Sequence, residues 1–197
     1  MNIFFMGTPK FAVPTLDLLN KKYNVIGVFT QPPRPSGRGM KEIKSSIQQY
    51  SEKNKLNFYT PNSLKNDETL KLLESLNPDL IVVVAYGILI PENILQIPSY
   101  GCINGHASLL PKWRGAAPIQ RAIEAGDIKT GCTSMLMEKG LDTGPMIHQK
   151  EILIKMEDDV IDLFESLSLL TAECLDETIQ KIFSGDSKQT PQNNLEA

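Results

Sequence analysis

Apolar positions fall into short runs that switch between strand-like and helix-like spacing. Asn2–Met6, Val25–Thr30 and Leu80–Ala85 are brief apolar stretches that read as buried strands, as does Gly101–His106. Leu80–Ala85 is nearly all β-branched, which suits a central parallel strand covered on both faces. Gly131–Met137 and Met146–Ile154 also read as strands. Between them lie helical patterns at Phe11–Leu19, despite Pro14, and at Ile43–Asn54, Asp67–Leu76 and Ala117–Ala125. A long helix with an apolar stripe follows at Asp159–Phe183. Thr8 is placed to cap the first helix, with Pro9 at its first position. Strands alternating with helices predict an α/β fold: one doubly wound, mostly parallel sheet in a single domain over residues 1–185. The polar, Pro-containing segment 186–197 reads as a linker or frayed tail.

Composition narrows the picture modestly. The 197 residues suffice for one sizeable core, and 41% hydrophobic with 22% charged residues is ordinary for a globular protein. A net charge of −3 requires any nucleic-acid partner to be held by a local basic patch. Cys102, Cys132 and Cys174 are odd in number and widely spaced, so neither a disulfide framework nor a zinc site is expected. A cytoplasmic location fits them best. The N-terminus lacks the basic region of a signal peptide, and no run approaches the ~18 apolar residues of a membrane span. Met6-Gly-Thr-Pro-Lys-Phe-Ala12 has no G-x-G-x-x-G pattern, which removes the best support for dinucleotide chemistry.

Candidate chemistry concentrates at Gly101–Gln120. Asn104 and His106, two residues apart on an extended chain, point the same way. The strand end is where open α/β sheets place ligands. A neutral amide donates to an oxyanion without ionising, and imidazole exchanges protons near neutral pH. Asp142, in Gly140-Leu-Asp-Thr-Gly144, is the carboxylate suited to orient that imidazole. Ser108 is placed to bond either a ligand or the turn. His148 lies in a strand-like run and is assigned no role, and no spacing indicates a metal site. A second feature is the loop Gln31–Lys41, where Arg34, Arg38 and Lys41, with Lys44 beyond, suit a basic finger for phosphates. Lys112, Arg114 and Arg121 extend the basic character near the strand end.

Together these residues resemble the methionyl-tRNA formyltransferases. Asn104-Gly-His-Ala-Ser-Leu-Leu-Pro111 is similar to the signature of enzymes that use 10-formyltetrahydrofolate. Lys112–Arg121, Gly7–Ala12, Thr30–Gly39, Val82–Gly87 and Gly140–Pro145 narrow the match to the tRNA enzyme, and the resemblance runs from about residue 2 to about residue 185. It implies formyl transfer from 10-formyltetrahydrofolate, as co-substrate, to the methionine amino group on initiator tRNA, by a Rossmann-like, cytoplasmic, monomeric enzyme without a metal. It implies catalytic roles for Asn104, His106 and Asp142. Folate contacts fall at Ser108, Leu109, Leu110, Pro111, Val84, Tyr86 and Gly87, and tRNA contacts at Arg34, Arg38, Lys41 and Arg114. Two rival readings are a glycinamide ribonucleotide or sugar-nucleotide formyltransferase, and a non-catalytic folate- or RNA-binding module. The first lacks the basic finger and the Trp-Arg-Gly-Ala-Ala-Pro run. The second has little need of all three polar residues.

Two departures from the family pattern stand out. Gly105 replaces a larger apolar residue and is expected to lose packing and loosen the strand end. The family carries a further C-terminal, barrel-like tRNA-binding domain, which this chain stops short of. The expected result is weak tRNA binding that falls steeply as salt is raised. A filter-binding titration at two ionic strengths checks it, and a tight, salt-insensitive complex contradicts it.

Overall fold

The computed structural model describes residues 1–36 and 41–197. The chain divides into two compact units, Met1–Cys102 and Ile103–Ala197.

The first unit runs β1 (Asn2–Gly7), α1 (Val13–Lys22), β2 (Asn24–Phe29), β3 (Arg34–Ser36), β4 (Lys41–Ile43), α2 (Ser46–Lys53), β5 (Phe58–Tyr59), α3 (Asp67–Leu76), β6 (Leu80–Val84) and α4 (Glu92–Leu95). Its sheet is parallel, in the order β5-β2-β1-β6. All five residues of β6 are buried, as the unbroken apolar run predicts. Fully burying such side chains contributes roughly 1.5–3 kcal/mol each. The chain order reverses between β1 and β6, so their C-terminal ends frame a crevice of the kind that binds ligands in open α/β sheets.

Three details differ from expectation. Thr8 does not cap a helix. Its hydroxyl donates to the Tyr86 carbonyl at 2.7 Å, and α1 starts only after a 3₁₀ turn over Lys10–Ala12. Pro14 then falls in the first turn of α1, where its missing N–H costs nothing. The stretch expected as a plain loop contains a short antiparallel hairpin, with Arg34 opposite Ile43 and Ser36 opposite Lys41.

The second unit runs β7 (Cys102–His106), α5 (Pro118–Glu124), β8 (Lys129–Leu136), β9 (Met146–Leu153) and α6 (Val160–Ser184). Here β7 pairs antiparallel with β8, and β8 with β9. The helix α6 packs on β8 and β9, and Asp159 caps it by accepting from the Ile161 and Asp162 amides. A fully reciprocated capping box forms, because Asp162 accepts from the Asp159 amide in return.

Gly105 corrects another expectation. It is not an unpacked gap. A Cβ built there would lie 2.7 Å from Thr171 Cγ2 and 2.8 Å from Leu175 Cδ1, so α6 already fills the space a larger residue would take. The helix fits closely because the residue is glycine. Gly105→Ala is therefore expected to destabilise the protein by about 1–3 kcal/mol through overpacking. Thermal melts should show a fall of about 2–4 °C per kcal/mol at this size, and Leu175→Ala should cost less in the Gly105→Ala background than in the parent. An alanine variant as stable as the parent would contradict this.

His148, given no role from sequence, joins an ionic network on the α6 side of β9. Lys181 donates to its Nδ1 at 2.9 Å, and its Nε2 donates to Glu177 at 2.7 Å. Lys150 bridges Glu173 and Glu177 at 2.8 and 2.9 Å. Lys150, and secondarily His148, hold the Glu177 carboxyl below its usual range. A carboxyl depressed in the folded state lends stability above its unfolded pKa of about 4.3. That stability is lost as pH falls through the folded value. Glu177 is 43% exposed, so screening keeps the contribution below about 1 kcal/mol. Urea unfolding should show Glu177→Gln slightly less stable at pH 7, with the difference vanishing under acid conditions. A difference that persists there would contradict the assignment.

Candidate active site

The site grows out of the end of β7. Register with β8 puts Asn104 opposite Met135 and His106 opposite Thr133. Alternation sends Gly105 toward α6 and its two polar neighbours to the other face. His106 is buried and Asn104 half-buried. The Asn104 amide has no hydrogen-bond partner among the described residues, so it is free to meet a ligand.

His106 Nε2 lies 2.8 Å from the Trp113 carbonyl oxygen. A carbonyl only accepts, so Nε2 carries the proton and donates it. The neutral ring therefore presents an unprotonated Nδ1. Asp142 Oδ2 is 3.6 Å from that Nδ1, with the two side chains only 8% and 14% exposed. The separation is longer than a hydrogen bond, and the contact becomes an ion pair only when the ring is protonated. The same Oδ2 accepts from the Gly115 amide at 2.8 Å, which fixes the carboxylate. Asp142 itself adopts a left-handed backbone, φ 52°, as do Trp113 at 60° and Ala117 at 59°. Such conformers cost about 1–3 kcal/mol each and are retained where the surroundings over-determine them.

The turn after β7 is held by polar groups that satisfy one another. Ser108 is fully buried, and its hydroxyl donates to the Lys112 carbonyl at 2.6 Å. Of the two uses open to it, the geometry selects the turn. The Thr133 hydroxyl donates to the Ser108 carbonyl at 2.7 Å and accepts from the Leu110 amide at 2.9 Å. Gln149 adds donations to the Leu110 carbonyl and to Thr133, both at 2.9 Å. Leu110 is buried, whereas Leu109 and Pro111 are half-buried. Trp113 Nε1 and Lys112 Nζ both reach Asp127. Burial pushes the Asp127 carboxyl up, but these two donors outweigh it and leave it below its usual range.

Gln192 is a further participant. Its Nε2 donates to the Asp142 and Gly144 carbonyls, both at 2.8 Å, and its Oε1 accepts from Arg114 Nε at 2.8 Å. One terminal nitrogen of Arg114, Nη2, is buried without a hydrogen-bond partner among the described residues. Sequence reasoning missed Thr133, Gln149 and Gln192. Thr133 carries a weak signal as a polar residue inside a buried strand, and Gln149 carries none among the polar residues of β9. Gln192 carries none, since it stands in a polar stretch.

Asn104, His106 and Asp142 thus gather within the second unit, beside Arg114 and the Ser108–Pro111 turn. The other predicted folate residues belong to the first unit. Val84 and Tyr86 are buried, and Gly87 is exposed with φ 78°. Gln31 and Thr8 both donate to the Tyr86 carbonyl. Burial pushes the Tyr86 phenol above its ordinary range. Of the basic finger, Arg34 is exposed on β3 and Lys41 contributes backbone to β4, while Arg38 lies outside the described residues. Lys44 is engaged by Glu52 at 2.8 Å. Among the described residues no group of three His, Cys, Asp or Glu is placed to hold a metal ion. Among the described residues no helix is long and apolar enough to cross a membrane.

Known proteins are similar to this chain in sequence and in fold. The methionyl-tRNA formyltransferase of Caldanaerobacter subterraneus subsp. tengcongensis is 49% identical over 199 residues, covering 100% of this chain and 64% of that protein. That of Idiomarina loihiensis is 45% identical over 198 residues, covering 100% and 63%. The chain therefore spans a little under two thirds of the length of these curated relatives. The crystal structure of phosphoribosylglycinamide formyltransferase from Bacillus halodurans matches with a TM-score of 0.78 at 20% identity, over 93% of this chain and 96% of that one. That likeness shows the fold, an α/β architecture with a mostly parallel sheet. The family model described as formyl transferase matches residues 1–179, and the chain belongs to the formyl transferase family.

Proposed function

We propose that this chain transfers a formyl group from 10-formyltetrahydrofolate to the α-amino group of methionine on initiator tRNA. Its relatives at 45–49% identity, named methionyl-tRNA formyltransferase, support the acceptor. The observation that carries the chemistry is the His106 ring, with Nε2–H committed to Trp113 and a bare Nδ1 beside Asp142.

The formyl donor is a substrate here, and the residues act on it as follows. The acceptor amine forms a bond to the formyl carbon, and the carbonyl electron pair moves onto oxygen. The Asn104 amide donates to that oxyanion. Nδ1 of His106 takes the proton shed by the amine, and Asp142 stabilises the imidazolium so formed. The imidazolium returns this proton to the folate nitrogen as the bond between it and the formyl carbon breaks. The products are the N-formyl amine and tetrahydrofolate, with no net change in protons on the enzyme.

The exposed Arg34 on β3, with Arg38 and Lys41, is the proposed contact to the tRNA phosphates. Tyr86 and Gly87, at the C-terminal end of β6, are the proposed folate contacts of the first unit. Three free, buried cysteines support a reducing, cytoplasmic setting.

The test is formylation of methionyl initiator tRNA with 10-formyltetrahydrofolate at low salt. Asn104→Ala removes one oxyanion donor and should lower kcat by about 10²–10³-fold. His106→Ala and Asp142→Asn should each lower it by about 10²–10⁴-fold. Near-parental turnover in His106→Ala would overturn the mechanism. Turnover with glycinamide ribonucleotide but not with tRNA would overturn the acceptor.

A further inference from the structure

We propose that Gln192 is a positioning residue for formyl transfer, holding the catalytic carboxylate in register with His106 from a segment that lies beyond α6. The proposal rests on the formyl-transfer reading above. Asp142 Oδ2 has two geometric duties, to accept from the Gly115 amide and to face His106 Nδ1. Its backbone is in the left-handed region, which a non-glycine residue keeps only under restraint. A modest rotation of that backbone would swing the carboxylate away from the imidazole.

The restraint is visible. A primary amide has two N–H donors, and Gln192 spends both on backbone carbonyls, those of Asp142 and Gly144. Its oxygen takes the Arg114 Nε–H, one residue before Gly115. One planar group therefore ties together the loop that carries Asp142 and the loop that carries its amide partner. Glutamine is suited to this use, because the task needs two donors and an acceptor at the end of a two-methylene stem. The segment is itself anchored. Thr190 and Met146 exchange both backbone hydrogen bonds at 2.8 Å, which sets Gln192 two residues further on. A stretch that reads from sequence as linker or frayed tail thus supports the site.

The experiment compares the full chain with Gln192→Met, which keeps length without hydrogen bonds, and with Gln192→Glu, which keeps the acceptor for Arg114 and loses both donors. Asn193→Ala serves as a control on the same segment, since Asn193 bonds only locally to Leu195 and Glu196. Misplacing a catalytic group by about 1 Å costs on the order of 10²-fold in rate. Both Gln192 variants should therefore lose about 10- to 100-fold in kcat while KM for 10-formyltetrahydrofolate stays within about twofold. Amide hydrogen exchange should show Gly115 losing protection in both. The control should change neither. Unaltered kcat, unaltered Gly115 protection, or equal losses in Asn193→Ala would each overturn the proposal. A parent chain with no turnover would sink the formyl-transfer reading instead, and Gly115 exchange would still decide whether Gln192 holds the loop.

Discussion

The hydrogen bond from His106 Nε2 to the Trp113 carbonyl closes the chain back on the end of β7. Much of the site follows from it. It commits one ring nitrogen to backbone and leaves the other free for the proton transfer proposed above. It also pins the far end of the turn, where Trp113 is left-handed and its indole is tied to Asp127. From there the chain needs only two residues to reach Gly115, whose amide grips Asp142. The imidazole, the turn and the carboxylate are consequently one hydrogen-bonded circuit, in which displacing any member displaces the others.

His106, Ser108 and Thr133 are buried, and burial sets the stakes. An unpaired polar group there costs about 1–3 kcal/mol. Ser108 and Thr133 avoid the penalty by spending their capacity on the turn's own backbone. The Asn104 amide departs from this economy, since among the described residues it has no partner at the strand end. In the proposed reaction that donor meets a developing negative charge and needs no reorganisation to act.

Much of this was legible in the chain itself, for identifiable reasons. β6 was readable because five consecutive apolar residues have no other use in a protein of this size, and Asp159–Phe183 because its stripe persists over many turns. The pairing of Asn104 with His106 follows from the two-residue period of a strand. What stayed hidden depended on partners distant in sequence. Thr8 resembles a helix cap in every local respect, yet the Tyr86 carbonyl claims its hydroxyl. Gly105 looks like a loss until Thr171 and Leu175 are seen against it. The hairpin of β3 and β4 was obscured by Pro and Gly. Gln192 is one polar residue among many, distinguished only by the three groups it meets.

The bridge between Thr190 and Met146 also bears on how copies of this chain behave toward one another. A strand with an unpaired side invites addition of a foreign strand, and natural sheets blunt such sides. In the second unit β9 has β8 on one flank only. Thr190 occupies the opening position of its other flank, and charges at Lys150 and Glu151 follow further along. The first unit ends its sheet differently, on a β5 of two residues, too short to template anything. Neither β9 nor β5 therefore offers a long, uncovered apolar side for a strand of another copy to add to.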